Sequence, residues 1–368
     1  MDVTRRGFLV GAAGALGVSG CEGMFVRAPG RYSVAILGDT HFDAEPESVY
    51  HSHYDESNTW AKIQHEEFRR NGEMWRKRCR ELLAASAQLA HERPTEMILQ
   101  MGDIIQGDCD DVPTHERMLD DCIRMLRAPY PAGLPFLTVM GNHDIRGKGA
   151  KDAYFKFAEA FLAQELGEPV KYPAFAFRRG RDLWVFCNFE EPDLSHVIRL
   201  IEAAPDARHV FLVSHGPFTT PDGGGSWRWR LGGRRHSEAL RPKLYELLSR
   251  RRAVVLSGHT HTVAYYRHEN AFGGFCEFTA NSVWKAPELA TAEPVASGAA
   301  EYGKVNVAKL MGEKLDDFKA ETDFFRRGMT DYFMNRGAGH FRLDVGDDVT
   351  MAFYPGASLV PARTFALT

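Results

Sequence analysis

The sequence predicts an α/β fold, a four-layer α/β/β/α sandwich in which helices flank two mixed sheets. Five short apolar runs rich in β-branched residues, each ending at a small residue, are typical of buried strands. The first three runs alternate with helical segments, which indicates parallel βαβ units. The later strands come as hairpins, which indicates antiparallel pairing. Two mixed sheets packed face to face, with helices outside, satisfy both patterns.

The individual elements follow from side-chain periodicity and helix breakers. An apolar face with Phe68, Trp75 and Leu82 predicts a long helix at 60–92, and prolines after 127 end a helix at 114–127. The other predicted helices are 151–166, 197–203, 241–251 and 304–333. The predicted strands are 32–37, 96–101, 135–140, 174–177, 183–188, 209–213, 253–256, 262–267, 275–280, 341–345 and 350–354. The predicted loops are 44–58, 219–235 and 287–300.

Length and charge limit the classes of protein to consider. The 368 residues suffice for one large α/β core with insertions or for two domains. Because no repeat or clear boundary divides the chain, we expect one core at 31–285, completed by helices and a hairpin at 286–368. The net charge of −4 favours no nucleic-acid partner and no anionic membrane surface. No apolar run reaches the roughly 18 residues of a membrane-spanning helix, and nothing indicates an oligomeric state.

The amino terminus has the features of an export signal. Residues 1–20 contain Arg5 and Arg6 followed by a short apolar stretch, and they resemble a twin-arginine signal peptide with a lipoprotein cleavage box. Cys21 is then the lipidated residue, and 21–30 is a tether. The alternative is a helix of the mature fold, which the glycine content of this stretch disfavours. We expect an exported protein, periplasmic or membrane-anchored, that meets a membrane only through a lipid on Cys21.

The remaining cysteines indicate no covalent framework. Five cysteines follow Cys21, an odd number without CxxC spacing, so neither a disulfide scaffold nor a zinc ribbon is indicated. Cys187 and Cys276 lie in apolar strands and are expected to be buried. A bridge between Cys109 and Cys122 stays open, supported only by their proximity in sequence.

Polar residues follow each of the five apolar runs. These residues are Asp39 and His41, then Asp103, then Asn142, His143 and Asp144, then His215, and last His259 and His261. Loops at the carboxyl ends of strands form the site crevice of open α/β sheets, so we expect these side chains to meet. Carboxylates, imidazoles and an amide oxygen suit divalent metals such as Zn, Mn and Fe.

In this order the five blocks, spread over 33–281, resemble the calcineurin-like metallophosphoesterase superfamily. The resemblance implies two divalent metal ions (Mn, Fe or Zn) that share a hydroxide, which attacks phosphorus. The implied ligands of one metal are Asp39, His41, Asp103 and His261. The implied ligands of the other are Asp103, Asn142, His215 and His259. By the same resemblance, His143 acts as general acid on the leaving oxygen.

One departure from the family pattern concerns the second block. Protein Ser/Thr phosphatases of this superfamily continue it as GDxVDRG, whereas here Gln106 and Gly107 replace the second aspartate and the arginine. This counts against a phosphoprotein phosphatase and leaves open what orients His143. Asp144 is a candidate catalytic residue in that role, the alternative being that it fixes the turn.

The predicted function is hydrolysis of a small phosphomonoester or phosphodiester, nucleotide-like substrates being one option. The alternatives are a non-catalytic scaffold with the same fold, which the complete ligand set disfavours, and a nuclease, which the acidic balance disfavours. The loop at 223–230 either brings arginines and aromatic rings to the substrate or is a solvated surface loop. His51 and His53, in the insertion after the first block, are interpreted as solvated loop residues.

Overall fold

The computed structural model describes residues 30–43, 49–51, 59–188, 190–221, 231, 238–304 and 313–368. The signal-like segment at 1–20, Cys21, His53 and the loop at 223–230 lie outside the described residues. Among the helices that are described, none is long and apolar enough to cross a membrane.

The described chain forms strands that alternate with helices in its first half and follow one another in its second. The strands are β1 (Tyr32–Leu37), β2 (Met97–Gln100), β3 (Phe136–Thr138), β4 (Ala174–Arg179), β5 (Asp182–Cys187), β6 (Val210–Val213), β7 (Val254–Ser257), β8 (Val263–Asn270), β9 (Gly273–Thr279), β10 (Ala296–Ser297), β11 (Met329–Asn335), β12 (Gly339–Val345), β13 (Val349–Pro355) and β14 (Arg363–Ala366). The helices are α1 (Thr59–Met74), α2 (Arg80–Glu92), α3 (Val112–Arg127), α4 (Ala150–Leu166), α5 (Leu194–Glu202), α6 (Arg241–Arg250) and α7 (Glu313–Gly328). A π-helical turn, Trp75–Cys79, joins α1 to α2, so the helix predicted at 60–92 is continuous but widened in its middle.

The strands form two mixed sheets. The first has the order β14-β13-β12-β1-β2-β3, and the second has the order β10-β11-β8-β9-β7-β6-β5-β4. Strands β1, β2 and β3 are parallel, as are β5, β6, β7 and β9. The hairpin pairs β4–β5, β8–β9 and β12–β13 are antiparallel. Each sheet therefore contains both predicted kinds of pairing, with parallel strands in one part and antiparallel strands in another.

Three apolar layers hold the sandwich together. Between the sheets, Ile36 of β1 and Phe278 of β9 belong to one buried core. On the outer face of the first sheet, Leu37 joins the apolar side chains of α2 and α3. On the outer face of the second sheet, Val255 joins those of α5 and α6. The order of layers is helix, sheet, sheet, helix, which confirms the predicted fold class.

The helix prediction for 304–333 is wrong in its last part. Helix α7 ends at Gly328, and β11 follows at once and pairs antiparallel with β8. Tyr332, Phe333 and Met334 are all buried there, because both faces of this strand are covered. A run that is buried on both faces shows neither helical nor strand periodicity, so its sequence does not separate the two.

The five cysteines after Cys21 are buried and free. Cys109 Sγ lies 3.5 Å from Met118 Sδ, and Cys122 Sγ donates to the Ile104 carbonyl oxygen at 3.5 Å. The bridge left open between these two cysteines is therefore not formed. The expected burial of Cys187 and Cys276 is confirmed.

Candidate metal centre

The five polar blocks meet at one edge of the sandwich. Each follows a parallel strand: β1, β2 and β3 in the first sheet, and β6 and β7 in the second. Because the carboxyl ends of parallel strands lie at one edge, loops that are distant in sequence converge there. An isolated bridge between Asp39 and Asn281 joins the loop after β1 to the chain after β9. The site thus lies across the junction of the two sheets.

The first group of candidate ligands contains Asp39, His41, Asp103 and His261, whose ligand atoms all lie within 4.8 Å of one another. His41 Nε2 lies 2.9 Å from His261 Nε2, and His261 Nε2 lies 3.1 Å from Asp39 Oδ2. Asp103 Oδ2 lies 3.6 Å from His41 Nε2. These are the four residues predicted for one metal.

The second group contains Asp103, His215 and His259. His215 Nε2 lies 3.1 Å from Asp103 Oδ2, and His259 Nδ1 lies 3.2 Å from His215 Nε2. Asp103 belongs to both groups, and the same Oδ2 atom faces both. A carboxylate oxygen in this position can bridge two cations.

The hydrogen bonds of the imidazoles fit a cation better than they fit an empty polar cluster. His41 Nδ1 contacts Gln106 Oε1 at 3.2 Å, and His215 Nδ1 contacts the Met101 carbonyl at 2.7 Å. Both acceptors require N–H at Nδ1, so Nε2 is the nitrogen of each ring that faces the cluster. Asn142 Oδ1 is buried and has no hydrogen-bond partner among the described residues. The donor atoms of the two groups converge on one buried region, where a cation would satisfy them.

Backbone conformation marks the same residues. His41, Asp103, His259 and His261 all have positive φ, between 44° and 69°. Only two other non-glycine residues in the described chain share this conformation, which costs energy for residues with a Cβ. Strain concentrated at four candidate ligands is typical of a functional site.

Two of the small residues at the strand ends let carboxylates approach closely. A Cβ on Gly141 would overlap the backbone N and Oδ1 of Asp103, and a Cβ on Gly258 would overlap Asp39 Oδ1. Any larger residue at either position would displace a candidate ligand. These two small residues therefore have a steric role in the site.

The buried charges shape the protonation of the site. Burial raises the pKa of Asp39 and of Asp103, but nearby histidines, His215 first, outweigh it and hold both pKa values below the usual range. Burial lowers the pKa of His215, but the negative charges of Asp103 and Asp39 outweigh this effect and raise the pKa to about 10. Both carboxylates are thus ionised near neutral pH and provide the negative charge that cations require.

His143 and Asp144 have separate roles in the geometry. His143 Nδ1 contacts the Gln106 carbonyl oxygen at 2.9 Å, and its ring centroid lies 4.3 Å from that of His41. Burial, followed by His41, holds the pKa of His143 well below its usual value. The Asp144 carboxylate accepts backbone N–H groups from Gly141 and Ile104 at 2.8 Å each. These bonds support the alternative that Asp144 fixes the turn, while the carbonyl of Gln106 orients His143.

Several polar residues of the site come from outside the five blocks. Gln64 and Asn71, two turns apart on α1, are buried and face the site; Asn71 Nδ2 donates to Gln106 Oε1 at 2.5 Å. Arg146 contacts both His143 and Gln64. No motif in the sequence marks these three residues, although two polar residues seven apart on an amphipathic helix, as Gln64 and Asn71 are, are a usable signal.

The interpretation of His51 as a solvated loop residue is wrong. Its ring is buried and stacks on Phe68 with centroids 3.6 Å apart. Its Nε2 lies 3.3 Å from Asp43 Oδ2. His51 is therefore packed between Phe68 of α1 and Asp43.

Two ligand groups that share one carboxylate, at the strand ends of a two-sheet sandwich, are the arrangement expected of a two-metal hydrolase. The sequence pattern of the calcineurin-like phosphoesterases matches residues 32–263, which is more than half of the chain. The chain therefore belongs to the calcineurin-like phosphoesterase family and is a metal-dependent phosphoesterase.

Similar solved structures include a purple acid phosphatase, PPD1, from yellow lupin seeds. It has 10% identity over 92% of this chain and a TM-score of 0.52, and this chain spans 54% of its length. PhoD has 10% identity, with 92% of this chain and 68% of PhoD covered and a TM-score of 0.48. A dimetal phosphatase from Danio rerio has 12% identity, with 92% and 99% covered and a TM-score of 0.46. The likeness to the lupin enzyme concerns the fold alone, and no curated protein matches the sequence.

Proposed function

We propose that the protein hydrolyses small phosphoric monoesters or diesters, nucleotide-like substrates being one option. The observation that carries the proposal is Asp103 Oδ2, which lies 3.6 Å from His41 Nε2 and 3.1 Å from His215 Nε2. One anionic oxygen between two sets of nitrogen donors is what a pair of divalent cations requires of a bridging ligand.

The residues that would hold the two cations are those of the two groups, with Asn142 added to the second. Divalent cations such as Mn, Fe or Zn supply activation of water and neutralisation of phosphoryl charge when bound in such a pair. The chain's part is to keep the donors fixed. His41 and His215 are held through Nδ1, and Asp103 Oδ1 accepts the His143 backbone N–H at 2.7 Å, which leaves Oδ2 to the cluster.

His143 is the proposed proton donor to the leaving oxygen. Its Nδ1 is committed to the Gln106 carbonyl, so Nε2 is the nitrogen that faces the substrate. The low pKa keeps the ring neutral in the free protein. A phosphoryl anion bound beside the ring would offset this, since a nearby negative charge raises the pKa of an imidazole.

Export through the twin-arginine route is a second part of the proposal. It is supported by Arg5 and Arg6 before a short apolar stretch and by the small residues before Cys21. Because this route carries proteins that are already folded, it would fit an enzyme that is loaded with metal before it is exported to the periplasm or anchored by a lipid.

The test is a hydrolysis screen of monoesters and diesters with protein that has been stripped by a chelator and reloaded with Mn, Fe or Zn. We expect turnover of at least one small ester in a reloaded sample and none in the stripped sample. Absence of turnover with every metal would favour the scaffold alternative. Faster cleavage of single-stranded DNA or RNA than of any small ester would favour the nuclease.

A further inference from the structure

We infer that Arg146 binds a non-bridging oxygen of the substrate's phosphoryl group, an inference that rests on the proposed function. Arg146 follows the third ligand block by two residues, in the turn after Asp144. Its Nη1 lies 2.9 Å from both ring nitrogens of His143. The guanidinium therefore lies one imidazole away from the first ligand group, since the rings of His143 and His41 are in contact.

The hydrogen bonds of His143 show which of its ring nitrogens is available beside Arg146. His143 donates through Nδ1 to the Gln106 carbonyl, so its Nε2 carries the lone pair. Arg146 can only donate, and its Nη1 N–H group lies 2.9 Å from this Nε2, as close as it lies to Nδ1. A phosphoryl oxygen that approaches Nε2 meets the same N–H. An anionic oxygen is the stronger acceptor, so the substrate displaces a weak bond and gains a charge-assisted one.

Arg146 is held in this position before any substrate arrives. Its Nη2 donates to Gln64 Oε1 at 2.6 Å and forms an ion pair with Asp108 Oδ2 at 2.5 Å. Its carbonyl oxygen accepts the Asp108 backbone N–H at 2.9 Å. Gln64 is buried in α1, so the arginine is fixed between a helix and the loop of the second block. A cation fixed in this way loses little conformational entropy when it binds a ligand.

The guanidinium of Arg146 is also partly exposed and has N–H groups left to donate to a ligand. The Arg146 side chain is 23% exposed, although it contacts His143, Gln64 and Asp108. A guanidinium has five N–H donors in a planar fork that matches two phosphate oxygens, and the contacts with described residues occupy about three of them. The remaining donors and the open side are what phosphate recognition needs.

The second block cannot supply this cation itself. Gly107 has a φ of 71°, and a Cβ at this position would overlap the His143 carbonyl oxygen. A side chain therefore does not fit at position 107, where the protein Ser/Thr phosphatases of the superfamily have an arginine. Arg146 brings a guanidinium to the same His143 from the third block, so the position of the charge is kept although its source in the sequence differs.

The experiment measures binding of inorganic phosphate to metal-loaded protein by calorimetry, which does not depend on turnover. The variants are Arg146→Gln, Arg146→Lys and, as a control, Arg208→Gln. Arg208 is a matched control because it is also part-buried, with 19% exposure, and also paired with a carboxylate, Asp182. It lies by the start of β1, at the opposite end of that strand from the ligands, where it donates to the Gly30 carbonyl. Metal content and KM for an aryl ester are measured on each protein.

We expect Arg146→Gln to weaken phosphate binding and raise KM by about 10- to 100-fold, the range of a lost charge-assisted hydrogen bond, with metal content unchanged. Arg146→Lys should lose less, because it keeps the charge but not the fork. Arg208→Gln should stay within about twofold of wild type. Phosphate affinity unchanged in Arg146→Gln, an equal loss in Arg208→Gln, or no phosphate binding by the wild type would each overturn the inference. Phosphate binding by a wild type that hydrolyses no ester would instead count against the proposed function.

Discussion

The Nε2 atoms of His41 and His261 face each other at 2.9 Å, although the two residues follow strands of different sheets, β1 and β7. The first ligand group therefore exists only when the two sheets are correctly packed on each other. The same holds for the second group, in which Asp103 follows β2 and His215 follows β6. The apolar core between the sheets is thus part of what positions the site.

Gln106 should control the affinity of the first metal position. Its Oε1 contacts His41 Nδ1 at 3.2 Å and accepts from Asn71, so it fixes the orientation of a ligand without being one. Gln106→Leu keeps the volume and removes the acceptor. Loss of such a partner typically costs about 10- to 100-fold in metal affinity. Metal titration should show this loss at one position only, and an equal loss at both positions would contradict the role assigned to Gln106.

His143→Ala should separate two kinds of ester. An alkyl leaving group needs a proton, so its kcat should fall by about 10²- to 10⁴-fold, whereas an aryl leaving group departs unaided and should lose much less. Metal content should not change, because His143 is not a ligand in this account. Equal losses on both esters with metal retained would assign His143 to positioning the phosphoryl group, and loss of metal would make it a ligand.

Arg5 and Arg6 should govern export. Changing both to Lys should leave the precursor in the cytoplasm, because the paired arginines are the feature that the export route recognises. Cys21→Ser should block lipid attachment. Cell fractionation and lipid labelling measure the two effects. Normal export of the double-lysine precursor would refute the first expectation, and lipid on the Cys21→Ser protein would refute the second.

His340 should make stability depend on pH. Burial lowers its pKa to about 4, partly offset by the bond from Nε2 to the Ser358 carbonyl at 2.9 Å. In the unfolded chain this histidine takes up a proton at about pH 6.5. Its contribution to the free energy of unfolding is therefore complete above that pH and is lost as the pH falls towards 4. This residue alone should account for about 2 kcal/mol between pH 7 and pH 5. Urea unfolding should show a smaller pH dependence in His340→Gln, and an unchanged dependence would exclude this residue as its source.

Most of the candidate site could be predicted from the sequence because each ligand lies within a few residues of its own strand. The strand end, the small residue and the polar residue are neighbours in the chain, so local pattern suffices. Arg146, Gln64 and Asn71 could not be placed in this way. Gln64 and Asn71 reach the site because α1 packs over it, and Arg146 because Gln64 and Asp108 hold it there. Such contacts depend on tertiary structure.

The fold was predictable where periodicity is clear and failed where burial removes it. The strands β1 and β6 and the helix α3 lie within two residues of their predicted bounds. Strand β11 was mistaken for helix because its residues are covered on both faces. Strand β14 was missed because only Phe365 of its four residues is buried, which gives no alternating pattern to detect.

The shared carboxylate Asp103 is the feature on which the account most depends. Asp103→Asn removes the anionic Oδ2 that faces both groups, so the variant should lose metal from both positions and nearly all activity. Asp182→Asn, which changes a buried carboxylate far from the ligands, serves as the control and should keep its metal. Elemental analysis of the metals bound per chain, after reloading and removal of free metal, is the direct measurement. We expect near-complete loss of metal in Asp103→Asn and wild-type content in Asp182→Asn; wild-type metal content in Asp103→Asn would contradict the bridging role of this carboxylate.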